Sequence, residues 1–403
     1  MTSVDLDAHG GPRVPRRADA PAEGDAPPRP DFTAREQTTD MTTIQRVRTD
    51  LYRVPLKRDL TDSTHGVMMD FELITVRVED SDGAVGVGYT YTVNHGGAAV
   101  ATMIERDLTG CLVGADPARI EQRWQDMWWR LHYAGRGGHQ TSAMSAVDIA
   151  LWDLAGIRAG MPLWRLFGGY DPVVPVYAGG IDLELPLEAL LDQADGFRTE
   201  GFRAIKMKVG RADLREDVAR VAAMREHLGE GFPLMVDANM KWSVDEALRA
   251  ARAFLPFDLT WIEEPTIPDD LPGNARIVAL GGHAIAAGEN LHTIYDFSNA
   301  IDAGALTLPE PDVSNIGGYT TFRKVAALAE ARNLRLTSHG VHDLTVHALA
   351  ATPSRTFMEA HGFGLDEYIA EPMTIVDGFV TAPERPGHGV DLDFHGLQEL
   401  GAA

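Results

Sequence analysis

In the second half of the chain, short apolar runs recur about every 25–30 residues, the size of one βα unit. The runs are Val174–Gly179, Ala204–Val209, Pro233–Asn239, Leu259–Pro265, Ala284–Glu289, Leu306–Asp312, Leu334–His339 and Arg355–His361. Stretches between them, such as Val244–Phe254 and Thr320–Arg332, carry apolar residues at helical spacing. Strand and helix alternating through eight strands predicts a parallel α/β barrel.

The preceding part has a different rhythm. Phe71–Val78 and Gly86–Tyr91 read as strands flanking the turn Ser81-Asp82-Gly83. Residues 99–112, 117–132 and 141–158 read as helices, and the apolar face of 141–158 is expected to be core. After Glu371 the barrel rhythm stops, and the remaining residues are expected to return to the first lobe. The reading therefore divides the chain into a Pro- and Arg-rich segment over 1–40, an α+β lobe over 41–170 completed by 371–403, and a barrel over 171–370. Residues 1–40 have little to bury, so they are expected to be a disordered tail or to lie upstream of the true start at Met41.

Composition narrows the function. The chain has 403 residues, 44% of them apolar, enough for a barrel and an added lobe. A formal net charge of -23 argues against a nucleic-acid partner, since phosphate binding needs clustered Lys and Arg. Cys111 is the sole cysteine, so no internal disulfide can form. There is neither an apolar segment of about 18 residues nor an apolar signal core. The expectation is a cytoplasmic protein without a membrane partner.

The chemistry sits at the ends of the runs. Lys206 and Lys208 lie in AIKMKVG, Asp237 closes LMVDAN, and Glu263 with Glu264 closes WIEEP. Glu289 closes AAGEN, Asp312 closes PEPD, His339 closes TSHG, and Glu359 lies in FMEAH. In a parallel barrel these ends face one side, where active sites form. Asp237, Glu263 and Glu289 come from consecutive strands about 4.8 Å apart, so their carboxylates can converge on one cation. Three oxygen ligands without Cys or His suit Mg²⁺, with Mn²⁺ as a substitute. Lys206 and Lys208, two apart on a strand, face the same side. Each lysine, with a nearby cation, is expected to lower the pKa of the other and make one a general base. Asp312 and His339 end successive strands, where an aspartate can orient an imidazole. These parts imply abstraction of a proton beside a carboxylate, by Lys208 or His339.

The KMK at 206–208, DAN at 237–239, EEP at 263–265, GEN at 288–290, PD at 311–312, SH at 338–339 and Glu359 resemble the mandelate racemase subgroup of the enolase superfamily. The resemblance runs from about Thr43 to Phe394. It implies a modified TIM barrel of (β/α)7β type with an α+β capping domain built from both chain ends. It further implies Lys208 as one base, an Asp312–His339 dyad, Glu359 as the acid that polarises the substrate carboxylate, and a homo-oligomer, often an octamer. Within that family, STHGVMMDFELITVR, YTYTVNHGG, YAGRGG, AMSAVDIALWDL, YAGGIDL, EEPTIPDD and GENLHT are similar to 3,6-anhydro-L-galactonate cycloisomerases. That likeness implies a sugar-acid substrate, with acid-sugar dehydration as the alternative and racemisation as a third reading. For an L-galactonate-type acid, the family's pattern implies Lys208 as base and His339 as acid. Thr64, His65, Asn94, His95 and Arg136 in the lobe's loops are candidates for substrate contacts.

Overall fold

In the computed structural model the described residues are 41–361 and 363–400; the expectation for residues 1–40 falls outside them. The first sheet is antiparallel, in the order β1 (Ile44–Thr61), β2 (Val67–Asp80), β3 (Val85–Val93). The expected hairpin is present: Phe71 pairs with Val93 and Glu79 with Val85. A further strand, β1, was not expected, because its register shifts between Pro55 and Leu60 break the alternation and charged residues fill its outer face. Helices Ile120–Leu131 and His139–Ala159 match the expected ones. The expected helix over 99–112 is instead Gly97–Met103, a π-helical turn Ile104–Leu108, and Thr109–Leu112.

Helix His139–Ala159 lies directly against β3, and glycine is the reason it can. A Cβ at Gly88 would meet the backbone of Ala146 and come 2.5 Å from Ala150 N, and one at Gly86 would come 2.6 Å from Leu154 N. Backbone cannot yield as a side chain can. Gly88→Ala is therefore expected to cost about 3 kcal/mol, the upper end of the overpacking range, as a lowered urea midpoint. Gly196→Ala, in helix Leu187–Thr199 with nothing within 4 Å, should instead be neutral or stabilise by about 0.4–1 kcal/mol.

The second sheet is the barrel. Its strands are β4 (Val173–Gly179), β5 (Ile205–Lys208), β6 (Leu234–Asp237), β7 (Ile262–Glu263), β8 (Ile285–Ala287), β9 (Leu308–Pro309) and β10 (Met358–Ala360). They pair in parallel from β4 to β9, and β10 pairs back onto β4. The seventh position, between β9 and β10, is taken by 336–339, a run too irregular to count as a strand. Its Thr337 N–H donates to Pro309 O at 3.0 Å, and its Leu336 O accepts from Thr356 N at 2.6 Å. Seven helices follow the first seven positions, from Leu187–Thr199 to His342–Ala350, and among the described residues none of comparable length follows β10. This is the (β/α)7β arrangement.

The barrel interior has two storeys, because side chains two apart on a strand share a face. Tyr177, Ala204, Met235, Trp261, Ala286 and Leu308 form an apolar plug. Two residues further along three of these strands stand Lys206, Asp237 and Glu263, all buried. The residues between them, Ile205, Val236 and Ile262, face outward into the main core. Alternation thus delivers charge to the mouth while the floor and outer wall stay apolar. After the barrel, β11 (Phe379–Thr381) runs antiparallel to β4. His388 Nε2 then hydrogen-bonds Val87 O at 2.8 Å, and its N–H donates to Asp153 at 2.8 Å.

Candidate active site

The carboxylates of Asp237, Glu263 and Glu289 close on one point. Each offers an oxygen within 4.8 Å of the others, and the cluster is buried. Burying three acids together is unfavourable without positive charge. Burial and neighbouring carboxylates push Glu263 up to about 8, against the pull of Lys206. Hard oxygen donors, mutual repulsion and this spacing fit a divalent cation such as Mg²⁺.

The lysines meet the triad from β5. Lys206 Nζ pairs with Glu263, reaches Glu359 Oε1 at 2.7 Å and lies 3.7 Å from Asp237. Lys208 Nζ pairs with Asp237. Its backbone N–H donates to the buried Asp182 at 2.9 Å, which fixes the strand end. The lowered lysine pKa expected from the sequence is reversed. Burial pulls Lys208 down and Lys206 acts the same way, but Asp237, Glu289 and Glu263 outweigh both and hold it above the ordinary lysine value.

On the other side, His339 Nδ1 lies 2.9 Å from Asp312 Oδ2, and its Nε2 lies 3.1 Å from Glu289 Oε2 and 3.7 Å from Glu359 Oε2. Asp312 is itself held, accepting from Ser314 N and Oγ at 2.7 Å each. Burial alone would lower the imidazole pKa. Glu289, Glu359 and Asp312 overcome that and place it well above the usual histidine value, in the protonated form. Gly340 N–H donates to Glu359 at 3.1 Å. Lys206, Lys208, Asp237, Glu263, Glu289, Asp312, His339 and Glu359 therefore meet in one cluster.

The chain matches the mandelate racemase / muconate lactonizing enzyme N-terminal domain over residues 46–168 and the enolase C-terminal domain-like family over residues 189–396. It belongs to the enolase superfamily. Within that superfamily, a 3,6-anhydro-alpha-L-galactonate cycloisomerase of Streptomyces coelicolor is 78% identical, over 89% of this chain and 99% of its own length. An L-talarate/galactarate dehydratase of Salmonella typhimurium is 33% identical, over 87% and 89%. A solved Streptomyces coelicolor structure, described as a racemase with bound magnesium, superposes with a TM-score of 0.87 at 77% identity, covering 89% of this chain and 99% of that one. An L-talarate dehydratase from a Polaromonas species, complexed with Mg and L-glucarate, gives 0.83 at 35% identity, covering 88% and 96%.

The loop candidates divide. His65 Nδ1 lies 2.7 Å from the buried Asp62, and Ser63 Oγ donates to Ala238 O at 2.6 Å, which ties this loop over the end of β6. That tie to Ala238, the neighbour of Asp237, brings the loop that carries His65 beside the site. Arg136 is engaged elsewhere, 5.5 Å over the Trp128 ring and 5.7 Å over Tyr295. Thr64 hydrogen-bonds Asp62 through its backbone at 2.8 Å, while Asn94 takes a positive φ of 63° in the loop that continues to His95.

Other polar residues of the site were given no role by the sequence reading. Glu264, at φ 37°, accepts from Asn290 Nδ2 at 2.9 Å through both oxygens. Tyr91 reaches from β3 to Asp312 at 3.5 Å. Glu310, two residues beyond Leu308, is buried and accepts from the Tyr177 hydroxyl at 3.4 Å. The Glu of PEPD and the second Glu of EEP were the available signals, but adjacent strand residues ordinarily face opposite sides. Only local backbone geometry decides which way such a residue points.

Proposed function

We propose that this chain is a Mg²⁺-dependent cycloisomerase that converts 3,6-anhydro-L-galactonate to 2-keto-3-deoxy-L-galactonate. The observation that carries the reading is the placement of Lys208 and His339 against different members of one carboxylate triad, Asp237 and Glu289. Such a pair can work on two sides of a substrate held at the triad. The 78% likeness to a cycloisomerase, against 33% to a dehydratase, favours ring opening over loss of water.

Asp237, Glu263 and Glu289 would hold Mg²⁺, with Mn²⁺ as a substitute. When bound, the ion supplies Lewis acidity to the substrate carboxylate and offsets the carboxylate field at Lys208. Lys208, as the neutral amine, takes the C2 proton, and the C–H electron pair passes into the carboxylate to give an enediolate. Glu359 and Lys206 flank that carboxylate. The pair then returns to form C2=C3 as the C3–O bond breaks. The protonated His339 gives its proton to the departing ring oxygen. His339 recovers a proton from the enol hydroxyl, and Lys208 returns its own to C3. Two protons leave the substrate, two arrive, and both residues end as they began.

The decisive assay offers purified enzyme with Mg²⁺ the anhydro acid and a panel of aldonates and aldarates, and detects 2-keto-3-deoxy acids. Turnover of the anhydro acid well above every other substrate is expected. Efficient dehydration of an aldarate with no reaction of the anhydro acid would instead establish the dehydratase. The same reading carries a cytoplasmic homo-oligomer, up to an octamer, and a cap of residues 41–170 and 371–403 over a barrel of 171–370. Among the described residues, no helix is long and apolar enough to cross a membrane.

A further inference from the structure

One buried group at the mouth has no assigned task. His361 ends the run that carries Glu359 and is 9% exposed, yet among the described residues neither ring nitrogen has a hydrogen-bond partner. One of its nitrogens lies within 4.8 Å of ligand atoms of both His339 and Glu359. Its ring is fixed edge-to-face on Phe363, with centroids 4.2 Å apart, and lies 5.7 Å from the His339 ring and 6.5 Å from that of Tyr91. On its other side it borders a cavity of about 650 Å³ whose lining includes Phe71, Tyr91, Val341 and Phe363 but none of the residues of the carboxylate and lysine cluster.

Leaving a buried polar group unpaired costs roughly 1–3 kcal/mol, so an imidazole fixed here has a partner in the working enzyme. Burial drives its pKa down to about 3, against the pull of Glu359. The ring is thus neutral, with one donor and one acceptor nitrogen. That suits an uncharged oxygen, an ether or a hydroxyl. The carboxylate end of the substrate already has the Lys206 ammonium beside it.

We propose that His361 donates a hydrogen bond to the oxygen on C3 of the substrate, the oxygen that leaves. The inference rests on the β-elimination reading above. His339 supplies the proton to that oxygen, and His361 stands beside His339, where it meets the same atom. Its N–H stabilises the negative charge that grows as the C3–O bond breaks, and it keeps its own proton. The pair of electrons from C3–O goes to the oxygen, and the proton arriving there comes from His339.

The test separates bond cleavage from proton abstraction. Enzyme with Mg²⁺ and the anhydro acid is run in D₂O, and both keto product and deuterium at C2 of recovered substrate are measured. His361→Leu should lose about 100-fold in turnover, as expected for one donor to a developing oxyanion, while C2 exchange stays within a few-fold of the parent. His361→Gln, whose amide can donate from a similar place, should recover most of the turnover. Mg²⁺ binding by calorimetry should be unchanged in both. Turnover unchanged in His361→Leu, or exchange falling as far as turnover, overturns the assignment. So does His361→Gln performing no better than His361→Leu. An inert parent enzyme would point instead to failure of the cycloisomerase reading.

Discussion

Lys208→Ala is expected to lower turnover by about 10³–10⁴-fold, the upper range for a general base, and to abolish deuterium incorporation at C2. His339→Asn should lose turnover to a similar degree, yet keep C2 exchange. The difference follows from where each group stands. Lys208 lies against Asp237 at the end of β5, and His339 lies across the cluster between Asp312 and Glu289. With His339 gone, Lys208 can still remove the C2 proton. The ammonium exchanges with solvent and returns deuterium, because the ring oxygen has no acid to help it leave. If His339→Asn lost exchange while Lys208→Ala kept it, the two roles would be interchanged. Asn at 339 retains a polar group toward Asp312, whose Oδ1 remains capped by Ser314, so the fold should survive.

Removing the metal is the second large effect. Dialysis against EDTA should reduce activity on the order of 10³-fold or more, since loss of Lewis acidity removes several kcal/mol of transition-state stabilisation. Added Mg²⁺ should restore it, and Mn²⁺ should substitute. Asp237→Asn should abolish Mg²⁺ binding measured by calorimetry. Asp237 lacks exposure, and its oxygens face both lysines and the triad. An amide there leaves Lys208 without its counter-ion and the cation without a third anionic ligand. Undiminished turnover after exhaustive chelation would sink the assignment of Asp237, Glu263 and Glu289.

Much of the site was legible because the parallel strands of a closed barrel are buried on both faces. Ionisable residues at the ends of such apolar runs stand out, and the i, i+2 rule places Lys206 with Lys208. The same rule explains the failures. β1 went unread because Pro55 and the register shifts near it hide its alternation. The π-turn Ile104–Leu108 went unread because one widened turn barely disturbs a helical pattern. His361 closes the run Arg355–His361, but Glu359 in the same run took the role there, and His361 was left with the other histidines, fourteen in all. Its lack of partners is a property of its surroundings.

By itself the sequence determined the order of strands and helices and the residue type at each strand end, since burial and alternation are written in local pattern. Tertiary structure decided which of those ends meet. The ring closes through β10 onto β4 and through 336–339, and this closure brings His339 to Glu289 and Glu359 to the lysine that pairs with Glu263. It also set the charge balance. Whether Lys208 leans toward the ammonium or the amine depends on the summed field of carboxylates that lie far apart along the chain but within a few ångströms in space, where low dielectric makes Coulomb terms large.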